Sequence, residues 1–199
     1  FKVLWERRDI ECNHFRGSGS SPILFRDLLL MHFDGSDQQF AMALDKRTGK
    51  TIWQTKRSID FQDLDKNGKP AAEGDLRKAF STPHVTQING RWEMISLGAK
   101  AAYSYDPLTG KELWKLTGNP EVTSTTPIAA HDLIFICNSY RPNRPIYAIK
   151  QGAANGDISL KQGETTNAFV AWSLQNGGSY QPTPVAYGDY LYVCNNDGI

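Results

Sequence analysis

Ala43-Leu44-Asp45-Lys46-Arg47-Thr48-Gly49-Lys50-Thr51-Ile52-Trp53 returns as Ser104-Tyr105-Asp106-Pro107-Leu108-Thr109-Gly110-Lys111-Glu112-Leu113-Trp114. Both copies read apolar–Asp, two variable residues, Thr-Gly-Lys, one residue, apolar–Trp. A phrase that returns after about sixty residues marks a fold made by stacking copies of one small unit. Within the phrase, the Gly suits a left-handed backbone position, and the Asp and Thr side chains can bond nearby amides. The phrase is therefore a hairpin turn between two strands.

A second marker interleaves with the first. Ser21-Pro22-Ile23, Thr126-Pro127-Ile128 and Thr183-Pro184-Val185 each lie five residues, counted from Pro, ahead of an Asp (Asp27, Asp132, Asp189) and a hydrophobic run. Thr82-Pro83-His84 leads to Asn89-Gly90 in the same role. Pro starts a strand where no ladder donor is needed, Asp or Asn-Gly makes the tight turn, and the β-branched and aromatic run is the next strand. The second strands are expected over 28–33, 92–97, 133–137 and 190–194, the third over 40–44, 101–105 and 146–149, and the fourth over 51–55 and 111–116. The third unit departs from the pattern. Lys150 replaces the Asp, and Lys150 to Trp172 spans 22 residues where Asp45 to Trp53 spans 8, an insertion of 14 at a hairpin tip. Hairpin tips tolerate insertions best.

Four short antiparallel strands recurring every 45–60 residues predict an all-β fold, a β-propeller of four-stranded blades. The blade bounds read as 1–6 (the last strand of one blade, Leu4-Trp5-Glu6), 21–55, 82–116, 126–174 and a half blade at 179–199. About three and a half blades cannot close a ring. The chain, which opens on Phe1, reads as part of a longer propeller. One short helical turn is expected around 73–80.

At these residues the chain resembles the quinoprotein-type (PQQ-like) repeat propellers. The resemblance covers nearly the whole chain. It implies that each repeat Trp docks on the Gly segment of a neighbouring copy, with Asp45, Thr48, Gly49 and Trp53, then Asp106, Thr109, Gly110 and Trp114, as the repeat positions. By position it pairs Trp53 with Gly49 and Trp114 with Gly110, with Trp172 and Trp5 as weaker equivalents. It also implies an extracytoplasmic location. Two functions come with it: a PQQ- and Ca²⁺-dependent alcohol or sugar dehydrogenase, or a cofactor-free interaction platform. The dehydrogenases carry adjacent cysteines over the cofactor and often a CxxCH haem motif; this chain has neither. Hence PQQ is not expected within this stretch, and any catalytic residues of the dehydrogenase alternative would lie outside it. The expectation is a non-catalytic scaffold that binds a protein or polysaccharide through its loops, together with the rest of the propeller.

The bulk properties agree. The 199 residues are 40% hydrophobic and 22% charged with formal net charge +1. That is a globular composition without the concentrated basic charge that nucleic acids or anionic membranes select, and no stretch is long and apolar enough for a membrane span. Cys12, Cys137 and Cys194 are too far apart for a CxxC motif. Cys137 and Cys194 occupy the same place in the repeat, as buried thiols or as a bridge between units.

Few residues speak for chemistry. Asp63-Leu64-Asp65-Lys66-Asn67-Gly68 spells the opening of a calcium loop, with Asp63, Asp65 and Asn67 as oxygen ligands and Glu73 as the nearest closing acid. The twelfth loop position is Gly74, however, and the competing reading is a polar turn. His84 follows Pro83 on an innermost strand and is the histidine expected near the channel. His32 reads as a packed core histidine and His131 as a turn residue. Arg141 and Arg144, on a proline-stiffened loop, present two guanidinium groups that suit a carboxylate.

Overall fold

The structure is a computed structural model that describes residues 2–14, 17–88, 90–140, 142–152 and 154–195. Its first sheet has the order β1 (Ile23–Phe25), β2 (Leu28–Asp34), β3 (Gln39–Asp45) and β4 (Thr51–Lys56), each antiparallel to its neighbour. The next holds β5 (His84–Ile88), β6 (Arg91–Leu97), β7 (Ala101–Tyr105) and β8 (Glu112–Thr117). A third contains β9 (Ile128–Ala130), β10 (Leu133–Cys137), β11 (Ile146–Lys150) and β13 (Val170–Leu174). A two-stranded sheet, β14 (Val185–Tyr187) with β15 (Tyr190–Tyr192), follows. These are propeller blades laid side by side, and the chain is an incomplete set of them.

Three differences from the sequence expectation have physical causes. Leu4-Trp5-Glu6 forms no strand, because none of the described strands pairs with it. The insertion is not a bare loop. Its residues Gly156–Asp157 form β12, which pairs in parallel with Trp114 and Lys115 of β8, so the second sheet gains a fifth strand from the third blade's own insertion. The helical turn is a kinked 3-10 segment over Ala71–Arg77, broken by positive φ at Ala72, Glu73 and Gly74.

Apolar residues of the middle strands make the core. Leu30, Ala41, Ala43, Met94, Ala101, Tyr103 and Tyr105 pack where the first two blades meet. Ile95, Leu97, Trp114, Leu116, Ile134, Ile136 and Ile149 do the same for the second and third, together with Ala154 and Ile158 of the insertion. Each blade thus buries apolar surface against its neighbour, the middle one on both sides.

The repeat turns are built as their residues dictate. Asp45 Oδ1 accepts from the amides of Arg47 and Thr48 and from the Thr48 hydroxyl at 2.8 Å, which holds its carboxyl below the usual carboxylate range. Asp106 Oδ1 accepts from the Leu108 and Thr109 amides in the second copy. Gly49 and Gly110 both take φ of +71°.

The indoles reach across to the next copy, and here the expected pairing is corrected. Trp53 lies over Gly110, not Gly49: a Cβ there would stand 2.5 Å from the ring, and the indole N–H donates to the Pro107 carbonyl at 3.0 Å. Trp5 covers Gly49 in the same way and donates to the Lys46 carbonyl. Trp114 does not cover Gly110. Its N–H donates to the buried Glu93 carboxylate at 2.8 Å, and β12 of the insertion fills the neighbouring position. Trp172 sits opposite Ala148 and packs near Phe135.

Candidate functional site

The chemistry-bearing side chains gather first at the seam between the first two blades. Asp34 ends β2, Arg57 follows β4, and Ser96 lies on β6. Arg57 Nε and Nη2 donate to the two oxygens of Asp34 at 3.0 and 2.8 Å, Nη2 also donates to Ser96 Oγ at 2.8 Å, and Nη1 to the Tyr105 hydroxyl at 3.3 Å. The guanidinium carbon stands 4.7 Å from the centre of the Tyr103 ring. Side-chain exposures of 2% for Arg57 and 1% for Asp34 make this an ion pair out of water, which is tolerable only because nearly every donor is used. Burial by itself disfavours the Arg57 charge, but Asp34 together with Tyr105 and Tyr103 outweighs it, so the guanidinium stays protonated.

His32 continues the network. Its Nδ1 is 2.6 Å from Ser96 Oγ, and its Nε2 is 2.5 Å from the Ser81 carbonyl and 3.1 Å from Ser20 Oγ. Burial drives its pKa down to about 4. The ring is a neutral structural bridge, as the sequence reading of a packed histidine expects. Beside it a cavity of about 90 Å³ is lined by Cys12, His14, Ser20, His32 and Asp34. Burial and the nearby Asp37 and Asp34 push the Cys12 thiol up to about 11, so it is not a nucleophile at neutral pH.

The blade seams share a further device. The Ser21 amide donates to Thr82 Oγ1 and the Thr126 amide to Thr183 Oγ1, both at 3.1 Å, so at two seams the hydroxyl before a Pro ties one innermost strand to the next. Cys137 is buried, with the Ser179 amide donating to its sulfur at 3.3 Å. Cys194 is exposed, and Cys12, Cys137 and Cys194 are free thiols; the bridge considered for Cys137 and Cys194 is absent.

The stretch read as the opening of a calcium loop is folded as a closed polar turn. Both Asp63 oxygens accept from Arg77, which lowers its pKa, and Asp65 Oδ1 accepts from the amides of Asn67 and Lys69 at 2.8 Å. Leu64 bridges Pro70 to close the turn, and Glu73 belongs to the 3-10 segment beyond it. Asp63 is thus committed to Arg77, and Asp65 Oδ1 to the backbone of its own turn. Among the described residues, no group of three or more His, Cys, Asp or Glu side chains comes together as a metal site.

His84 begins β5 at the edge of its sheet, half-buried opposite Ile95, and burial lowers its pKa. Arg141 lies outside the described residues. Arg144 is exposed, its backbone held by Gln175 and Gly178. The structure does not bring His84 and Arg144 into one cluster with the Asp34–Arg57 network. Sequence reasoning missed Asp34, Arg57 and Glu93. Glu93 accepts from Trp114, from Ser104 at 2.6 Å and from Arg91. A signal existed for Asp34, a lone charge ending the apolar run of β2, and more weakly for Glu93 within β6; Arg57, next to Lys56 after a polar strand, gives none.

Among the described residues, the buried cations Arg57 and Lys78 are paired with Asp34 and Asp75.

Fold and seams together define a PQQ-type repeat β-propeller. The family profile described as outer membrane protein assembly factor BamB matches residues 37–199, and the chain belongs to that family. The structure is similar to BamB from Moraxella catarrhalis (TM-score 0.50, 12% identity), covering 87% of this chain and 42% of that one. It is similar also to quinohemoprotein alcohol dehydrogenase from Comamonas testosteroni (TM-score 0.51, 18% identity), covering 80% of this chain and 23% of that one. At such identities these likenesses show the fold alone. The chain spans less than half the length of either. No curated protein sequence matches it.

Proposed function

We propose that this chain is part of a non-catalytic recognition propeller, outside the cytoplasm, that holds a protein or polysaccharide partner through its loops. One observation carries the reading. The buried ionisable groups Asp34, Arg57, His32 and Glu93 are spent on holding strands and blades together, while the two segments that break the repeat, 58–82 and 154–170, are hydrogen-bonded outgrowths of that frame. A rigid frame carrying variable loops is how propellers present binding surfaces. Membership of a family described by an outer-membrane assembly factor supports a protein partner and an extracytoplasmic setting.

The test is site-specific photocrosslinking in the full-length protein. A photoreactive residue at Lys66 or Gln162, on the two outgrowths, is expected to give discrete, saturable adducts; one at Ile52, on an outer strand, is not. Uniform labelling from all three positions would contradict the reading. The alternative, a PQQ- and Ca²⁺-dependent dehydrogenase with its catalytic residues outside this chain, rests on the shared fold, which hosts more than one function.

A further inference from the structure

The insertion does more than brace the second blade. After β12 its chain is pinned by Ile158 N–H to the Lys115 carbonyl and by Ser159 Oγ to Thr117, while Asn167 donates to the Ile158 carbonyl and accepts from the Phe169 and Val170 amides. The arc between these anchors stands off the third blade. It encloses a groove of about 350 Å³ with Gly118, Asn143 and Tyr147 on one side, Leu160 and Gln162 on the other, and Gln175 at the rim. That volume is in the range of small-ligand sites.

Two independent observations single out this end of the molecule. First, neutral polar atoms are buried without hydrogen-bond partners at and beside the groove: Asn143 Oδ1 of a lining residue, Asn119 Nδ2 and Oδ1 directly after the lining Gly118, and Thr123 Oγ1 further along the same 118–123 crossover. Asn119 is 5% exposed and Thr123 2%, so water does not simply bathe them. Buried polar atoms left unpaired are rare and costly. Second, Val122, within the same 118–123 crossover, has φ of +54°. A β-branched residue there is a true backbone outlier, and such strain clusters at ligand-binding segments.

We propose that this groove binds a neutral, hydroxyl-rich ligand, a saccharide unit, and that binding re-seats the 118–123 crossover. This rests on the recognition reading above and names its ligand class and site. The uncharged lining groups are amides and hydroxyls; Asn143 Nδ2 and the Tyr147 hydroxyl donate to the Gly118 carbonyl, which leaves Asn143 Oδ1 and the Tyr147 oxygen as acceptors beside the Gln162 and Gln175 amides, and sugar hydroxyls both donate and accept. Lys161 and Glu164 on the arc offset one another, so no net charge is demanded of the ligand. Leu160 offers an apolar wall for the C–H face of a ring.

The experiment is ¹⁵N NMR titration of the full chain with cellobiose, maltose and chitobiose, each to 50 mM as a practical limit, on the order of the weakest affinities worth assigning. The expected result is saturable shifts confined to 118–123, 143 and 160–165 with at least one of them. Asn143→Ala should weaken binding about tenfold or more. Gln175→Ala at the exposed rim, which leaves the fold untouched, should weaken it about threefold. No localised shift with any of the three overturns the proposal, as does a shift unmoved by both variants, or one produced instead by a glycine tetrapeptide alone. If the titration is null while discrete crosslinks persist at Lys66, the saccharide site falls and the recognition reading stands.

Discussion

At the scale of single residues, the account turns on charges that have left water. Removing one partner of the Asp34–Arg57 pair strands the other in the seam. Arg57→Met is expected to cost about 3–5 kcal/mol, read as a fall in the urea midpoint at unchanged slope. A loss under about 1 kcal/mol would mean the pair is solvated. His32 gives a pH test. Its folded pKa, about 4, lies below the ordinary value of 6.5, so the unfolded chain binds the extra proton between those limits. Its contribution to stability is therefore full above pH 6.5 and is lost as pH falls toward 4, by about 3 kcal/mol at most. His32→Gln should flatten that part of the pH–stability curve, and an unchanged slope between pH 4 and 6.5 would count against a buried neutral ring. Gly110→Ala meets two obstacles, the Trp53 ring at 2.5 Å and φ of +71°. A destabilisation of about 2 kcal/mol or more is expected by thermal melting, and Gly68→Ala, equally left-handed but with open space around it, should cost only about 1 kcal/mol.

At the scale of elements, the repeat was legible and its exceptions were not. Alternating apolar strands, Ser/Thr-Pro starts and Thr-Gly-Lys turns are local patterns, so the strands of all three blades lie within a residue or two of where the sequence puts them. What one blade does to the next is not local. The Trp53 ring and the Gly110 it covers are 57 residues apart, and nothing within either phrase says which copy supplies the partner. The Asp63–Asp65–Asn67 spacing fits a cation loop and a polar turn equally well. Arg77, which pairs with Asp63 and is not visible in that spacing, lies 14 residues away from it. Strand β12 was invisible, because a two-residue strand has no period. It can still be tested. Replacing 151–168 by a short Thr-Gly-Lys turn should remove the cover over Trp114, red-shifting its fluorescence and speeding amide exchange at 114–117. If exchange there stays slow, β12 is not what protects that edge.

At the scale of the whole molecule, blades that bury their faces only against each other, tied by hydroxyl–amide bonds at the inner strands and ion-bonded networks at the seams, make a stiff frame. The proposed recognition role rests on what departs from the repeat: the 58–82 segment with its Asp63–Arg77 clasp, and the insertion that braces the second blade and borders the groove. Near-neutral charge adds no long-range pull toward nucleic acid or anionic lipid. The central claim, that the buried polar groups serve structure and the loops serve recognition, is tested most directly by titrating the full-length protein with PQQ, with and without Ca²⁺, while following quinone absorbance and dye-linked alcohol oxidation. The expected result is no saturable absorbance change at micromolar quinone and no dye reduction. Stoichiometric binding with turnover would contradict it.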